Sequence, residues 1–600
     1  MYRYLISILI LAAASAVSAA PDETNVWDYV SNYKGWQISA VKVAGLDDAR
    51  LPSGAAKQLG KGLDLAGDEA VLYEKQLRED VARVQLFLAQ RGYPYARVTP
   101  RVDPDESKRA IALTFEVESG PPVIVRTFDW LTIPEKLRGD VDRATRTLPG
   151  DVFSDADLET DVQLVIDHLK KTGHAYASAS AKLDWVDSTT VDIAVIAAPG
   201  PVYYFSGVVV QGVSDDLIEL AYVMVDINKG ERYDPILIRD AREYLSRLGV
   251  FRQIRLTLEQ TAPDSLDLIV DLQKRKPRSI ETAFGYWTDE RFSGRVKWQH
   301  RDAFHKARGT SIELAYTQFR QFGKWSIWWP AIFGKKRSLG SVAGGLNNEN
   351  EDSYEKTAPG VGVSFGYTFT RNTAATIGYT IELATYDIKT MERDEFQDPE
   401  GPVGWFSGRV SRDGTDNRVN PVKGTFSWLT FEWGPRGGVS EANWIATEAS
   451  GSILTPVKQT VFATNVRAGW GRPIAPARIL LPDRRFYAGG AASHRGFYRR
   501  KLGPKDENGA PLGGEVVITG FFEYRFPLVW KFNGAVFFDW GQVWRSADDV
   551  RMDNIELAVG PALRLMTAVG PVRLDWGIRI TNYDDTEPWS AIHFAIGYPM

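Results

Sequence analysis

The 600-residue chain contains no cysteine, which excludes disulfide scaffolds, thiolate catalysis and cysteine-ligated zinc or iron–sulfur centres. Its six histidines are scattered and no HExxH pair exists, so no metal site is expected. No glycine-rich phosphate loop followed by lysine appears. A charge excess is also missing. The 71 Lys and Arg nearly balance 76 Asp and Glu, leaving −5, and no strongly basic domain points to nucleic acid. Beyond the N-terminus no run of 18 apolar residues exists, so the mature chain has no membrane helix. One hydrolase-like string, Gly362-Val363-Ser364-Phe365-Gly366, falls inside an alternating strand, whereas a nucleophile elbow needs a strand, a sharp turn and a helix. Neither an enzyme nor a cofactor is expected.

What is abundant is glycine, at 53 residues, and tryptophan, at 19. The chain is too long for one core. Met1 to Ala20 carries Arg3, the apolar run Leu5 to Ala14 and then small residues, which reads as a secretory signal peptide.

Three segments then share one pattern. Leu77, Val81, Val84 and Leu88 recur at helical spacing before Gly92. Leu158, Val162, Val165 and Leu169 do so before Gly173, and Ile238, Ala241 and Leu245 before Gly249. Each glycine sits where a left-handed helix cap is wanted. In the third copy Asp234-Pro235 supplies an N-cap and a first-turn proline. One strand-like run precedes each helical region (37–43, 123–129 and 203–210) and two follow it (96–102 and 111–117; 175–185 and 191–196; 253–258 and 266–272). The reading is three tandem α+β domains at 21–121, 122–200 and 201–275.

From residue 276 to 600 the pattern changes to period two. Val572, Leu574, Trp576, Ile578 and Ile580 alternate with Arg573, Asp575, Gly577 and Arg579, and Val361 to Phe369, Phe462 to Trp470 and Ile518 to Phe526 behave alike. A soluble sandwich shares this alternation. Three features favour an all-β transmembrane barrel: long aromatic-rich strands without a helical layer, 15 of the 19 tryptophans in this half, and the export signal. In lipid the sheet must close, and the length allows about 16 antiparallel strands.

One constellation stands out in this half. A glycine-rich, basic segment contains His494-Arg495-Gly496-Phe497, and two later strands place Glu523 and Asp539 on their polar faces. A guanidinium offers a planar fork to such carboxylates, so Arg495 could bend into the lumen and meet them.

The three modules resemble POTRA domains. Arg495-Gly496-Phe497 resembles the inward-folded sixth-loop tip of the BamA/TamA superfamily, and Phe537-x-Asp539-x-Gly541 resembles its FxDxG strand motif, with Glu523 in the preceding strand motif. Arg412 to Asn417 with Asn420 to Gly424 resembles the turn before a barrel strand, and Gly570 to Asp575 the penultimate strand. Within the superfamily, three modules resemble the TamA branch. Two departures are His494, where an apolar residue is frequent, and the terminal Tyr598-Pro599-Met600.

The resemblance implies an outer-membrane protein assembly factor. Its periplasmic modules would hold unfolded outer-membrane protein or autotransporter clients, with outer-membrane lipid and a TamB-like inner-membrane-anchored protein as further partners and no nucleic acid. A lateral seam between the first strand, near Ser279 to Trp287, and the last, near Ala591 to Tyr598, would involve Phe284, Phe594 and Gly597. The alternative is a two-partner-secretion-type translocation pore for an extended polypeptide.

Overall fold

The computed structural model describes residues 23–46, 51, 59–60, 62–67, 70–390, 401–417, 420–437, 440–475, 477, 479–567, 570–581 and 587–596. The expected signal peptide, Gly597 and the terminal Tyr598-Pro599-Met600 lie outside them. The chain divides into two compact units. One takes residues up to 207 with 227–238 and 258–267, and the other takes 208–226, 239–257 and 268–600.

In the first repeat β1 (Gln37–Ala44) precedes α2 (Glu74–Ala89), after the short α1 (Glu23–Ser31), and β2 (Arg97–Asp105) and β3 (Ala110–Glu118) follow. The second repeat runs β4 (Ile124–Leu131), α3 (Glu135–Ala144), α4 (Asp155–Lys171), β5 (Ser178–Asp187) and β6 (Thr190–Ala198). The third runs β7 (Tyr204–Gln211), α5 (Asp215–Val225), α6 (Pro235–Arg247), β8 (Phe251–Ala262) and β9 (Ser265–Lys274). The three sheets have one order, β1-β3-β2, β4-β6-β5 and β7-β9-β8. In the first two, the opening strand joins the last in parallel, so a helical crossover is required. Leu77, Val84 and Leu88 of α2 and Leu158, Val165 and Leu169 of α4 are buried against their sheets.

Gly92, Gly173 and Gly249 have φ of +85°, +101° and +68°, the left-handed caps expected. A Cβ on Gly92 would also lie 2.5 Å from the Phe153 carbonyl oxygen, where the first two repeats meet. In the third repeat Pro235 opens α6 and Asp234 accepts from Ile236 N at 2.8 Å.

One repeated contact escaped the periodicity. Asp80 of α2 and Asp161 of α4 are fully buried. Asp80 accepts from Asp64 N and Leu65 N at 3.0 and 2.9 Å, and Asp161 from Arg146 N and Thr147 N at 2.8 and 2.9 Å. Each carboxylate ties the connection that leads into its helix onto that helix. Asp161→Ala strands two backbone donors and is expected to destabilise the second repeat by about 2–3 kcal/mol. Pulse proteolysis of the intact protein in a urea series measures it; an unchanged midpoint would remove the role.

Residues from 278 form a closed antiparallel barrel. Sixteen strands complete the ring among the described residues, because Thr385–Ile388 continues the line of Thr373–Glu382 along Tyr354–Thr370. The first strand is Arg278–Trp287 and the last Ser590–Ile596. Ser364 lies inside Tyr354–Thr370, its hydroxyl 2.7 Å from that of Ser341, so no nucleophile elbow exists there.

Alternation sorts the two faces. Leu574 and Trp576 are exposed on the outside, while Asp575 and Arg579 are buried in the lumen. Ile312, Val363, Ile377, Leu429, Val466, Phe522 and Val536 are likewise exposed. An exposed apolar belt of this extent matches hydrocarbon, and closure satisfies the backbone there.

Within the second unit, helices of the third repeat hold three barrel turns. Lys306 N donates to Asp216 and Lys306 Nζ to Glu219 at 3.1 and 2.5 Å. Lys336 Nζ lies 2.8 Å from Asp226, and Arg371 Nε 3.2 Å from Glu243. These turns share the end at which the chain enters the barrel, so even-numbered connections lie there and odd-numbered ones at the opposite end.

Candidate functional site: a loop seated in the barrel lumen

The long connection between the eleventh strand, Thr460–Pro473, and the twelfth, Val516–Pro527, turns back into the lumen. Pairs Phe486–Gly514, Ala488–Leu502 and Gly490–His494 shape it into a narrow hairpin. Phe486, Ala488, Phe497 and Leu502 pack with Val517 and Val543 of the wall.

At its tip Arg495 is buried. Its backbone N and its Nε donate to one oxygen of Asp539 at 2.7 and 2.8 Å, and Nη2 to the other at 2.6 Å. Nη1 donates to Glu523 at 2.6 Å. The guanidinium lies 3.5 Å from the Phe537 ring centroid, a cation–π contact. Glu523 also accepts from Arg525 Nε at 2.6 Å and lies 2.7 Å from Arg564 Nη2. Two carboxylates and three guanidinium groups thus share one buried site, and Arg573 pairs with Asp575 on the next wall strand. Such a network is costly to break, because any group left behind is a buried charge.

Gly496 is required by space. A Cβ there would lie 2.7 Å from Ala558 Cβ. Gly577 of the wall serves the same approach, since a Cβ on it would meet the Arg495 carbonyl oxygen at 2.0 Å. Phe497 is buried beneath Arg579, 4.4 Å from ring centroid to guanidinium carbon. His494 is fully buried, with Nε2 3.1 Å from the Glu556 carbonyl oxygen and, among the described residues, no partner for Nδ1. Burial pushes its pKa down, so it seats as a neutral ring donating from Nε2.

The same tip reaches both sides of the barrel closure. Ala491 N donates to Asp289, in the turn after the first strand, at 2.6 Å. His593 of the last strand places Nδ1 3.2 Å from Asp289 and Nε2 3.0 Å from the Arg495 carbonyl oxygen. Both partners are acceptors, so each ring nitrogen faces an oxygen. Thr288 adds its backbone N to the Phe594 carbonyl at 2.9 Å and receives Phe594 N on its hydroxyl at 2.8 Å.

Beside this clasp the first and last strands meet. Among the described residues they pair only at Tyr286–Ile596 and Trp287–Ala595, whereas the last strand pairs with its other neighbour at seven positions. Phe284 is exposed on the outer face and opposes Gly294 of the second strand. The Phe594 ring lies 6.3 Å from that of Tyr286. Gly597 lies outside the described residues.

Two further ion clusters hold the loop. At its base Asp483 meets Lys356 at 2.6 Å and Tyr386 at 2.8 Å, and Arg484 stacks 4.0 Å from Trp405. Burial favours the protonated Asp483, but Arg484 and Lys356 outweigh it and hold the carboxyl at about 2. Beyond the tip Arg499 donates to Glu351 at 2.5 and 2.9 Å.

The structure therefore brings Arg495, Gly496, Phe497, Glu523 and Asp539 together and places Phe284 and Phe594 at the closure. Sequence reasoning missed Asp289, His593, Arg564 and the Asp483 cluster. His593 carried a signal, being polar on the same strand face as Ala591 and Ala595. Asp289 carried none, since a turn aspartate needs no partner.

Comparison with known proteins agrees with this architecture. Residues 305–600 match the Omp85 superfamily domain, and residues 56–120 match POTRA, described as the surface antigen variable number repeat. The outer membrane protein assembly factor BamA of Nitratidesulfovibrio vulgaris is 23% identical over 551 residues, covering 88% of this chain and 68% of that protein. The BamA of Neisseria meningitidis serogroup B is 21% identical over 584 residues, covering 86% and 72%. The crystal structure of Haemophilus ducreyi BamA lacking POTRA domains 1–3 matches with a TM-score of 0.60 at 15% identity, covering 79% of this chain and 98% of that one, a likeness of fold.

Proposed function

We propose that this chain, whose residues 305–600 match the Omp85 superfamily domain and 56–120 the POTRA repeat, is an outer-membrane assembly factor with periplasmic N-terminal modules that inserts unfolded β-barrel or autotransporter clients by opening its lateral seam. The observation that carries this reading is how the closure is held: among the described residues Arg278–Trp287 and Ser590–Ile596 pair at two positions, and Thr288, Asp289 and His593 clasp the same end. Opening this closure frees a strand edge whose unpaired N–H and C=O groups are offered to a client strand. The client then gains its own closed ladder in lipid, so no nucleotide is needed.

The loop supports the same reading. Its tip touches Asp289 on one side of the seam and His593 on the other, so it fixes the closed state while seated. A secretion pore would require the loop to leave the lumen, against three separate ion clusters. That ordering favours insertion over translocation.

Three repeats with one sheet order favour the TamA branch, and with it a TamB-like inner-membrane-anchored partner. The exposed edge strands β2, β5 and β8 suit extended clients, whose backbone would add to the sheet.

The deciding experiment places the purified full-length protein in phosphatidylcholine vesicles and adds a urea-unfolded β-barrel client. Faster acquisition of heat-modifiable mobility than in empty vesicles is the expected result. Equal rates would overturn the proposal.

A further inference from the structure

Among the described residues, two turns at the periplasmic end differ from the others. One follows the fourth strand, Arg320–Pro330, and carries Ile332 and Phe333; the other follows the twelfth and carries Leu528, Val529 and Trp530. Phe333 is 91% exposed, Val529 77% and Trp530 74%, whereas the apolar residues Phe304, Val422 and Val457 near other periplasmic turns reach 49%, 40% and 46%. Exposure of this degree is unfavourable in water.

Both turns bend onto the outer face. Gly340 opposes Trp329 and Phe365 in register, and Phe365 shares its face with the exposed Val361 and Val363. A Cβ on Gly340 would meet Ile332 Cδ1 at 2.3 Å and Trp329 Nε1 at 2.7 Å. Gly534 shares its face with the exposed Val536, and a Cβ there would meet Phe526 Cε2 at 2.7 Å and Leu528 Cδ1 at 3.3 Å. Ile332 and Leu528 thus continue the apolar belt downward, and Phe333, Val529 and Trp530 extend beyond it. Each tip is followed by an exposed lysine, Lys335 or Lys531, and Lys531 Nζ lies 5.4 Å from the Trp530 ring centroid. Apolar and aromatic tips beside a cation fit the boundary between acyl chains and phosphate headgroups.

Their positions in the ring are related. One turn follows the fourth of sixteen strands and the other the twelfth, so eight strands separate them in either direction. Each is also four strands from the seam, a quarter of the ring away on either side. We propose that these two turns are interfacial anchors seated in the inner-leaflet phospholipids. They pin the barrel on an axis across its middle and leave the seam side free to tilt. The first anchor is also tied to the third repeat through Lys336 and Asp226.

The chain's lack of cysteine makes single labels clean. Phe333→Cys and Val529→Cys, each bearing an environment-sensitive fluorophore, are compared in phosphatidylcholine vesicles with Gln459→Cys in a third periplasmic turn and Val466→Cys in the belt. Quenching is read from a nitroxide high on the lipid chain and from aqueous iodide. Both tips should be quenched strongly by the lipid nitroxide and weakly by iodide, between the two references in depth. Iodide access at either tip equal to that at Gln459→Cys would overturn the opposed-anchor proposal and leave a water-facing surface for a protein partner.

Discussion

A disulfide joining cysteines placed at Tyr286 and Ile596 stops client insertion, and a reductant restores it. These residues are register partners in the closure and lie on its outer face. Opposed antiparallel residues stand at about the separation a disulfide requires. The native chain has no thiol to compete for the bond. The lock adds nothing to the other strand pairs, so the barrel should keep its heat-modifiable mobility. A locked protein that still inserts clients at the unlocked rate would rule out lateral opening between these strands.

The second large effect is expected at the loop tip. Arg495→Ala leaves Asp539 fully buried without its fork of donors and removes one of three guanidinium groups from Glu523. Removing one member of a buried ionic network typically costs about 3–5 kcal/mol. That cost falls on the seating of the loop, because the wall strands pair independently of it. The loop between 485 and 515 should become open to protease, the contacts from Ala491 and Arg495 across the seam should be lost, and assembly activity should fall while the barrel still folds. Arg495→Lys keeps the charge but not the planar fork, so it should recover only part of the activity. Full activity with a protected loop in Arg495→Ala would reduce this residue to a solvated side chain.

The elements legible in the sequence were those set by local periodicity. The spacing of Leu158, Val162, Val165 and Leu169 marked α4, and the cap at Gly173 marked its end, because one turn of helix repeats regardless of what packs on it. Alternation in Val572 to Ile580 separated Trp576 from Asp575 for the same reason. Arg495, Glu523 and Asp539 were found together because an isolated carboxylate in a lumen demands a cation. The sheet order, with the opening strand beside the last, was not legible, since each strand's own pattern is compatible with either neighbour. Asp80 and Asp161 were also hidden: their backbone partners lie 14 to 16 residues away in segments without periodicity.

By itself the sequence determined the repeat, the two faces of the barrel strands and the identity of the loop-tip residues, all consequences of short-range spacing and residue chemistry. Only the tertiary structure decided that the loop clasps Asp289 and His593 on opposite sides of the closure, and that the two apolar turns stand half a ring apart. Those relations depend on ring closure, which brings residues about 300 positions apart to adjacent strands. No local pattern encodes a distance that exists only once the last strand meets the first.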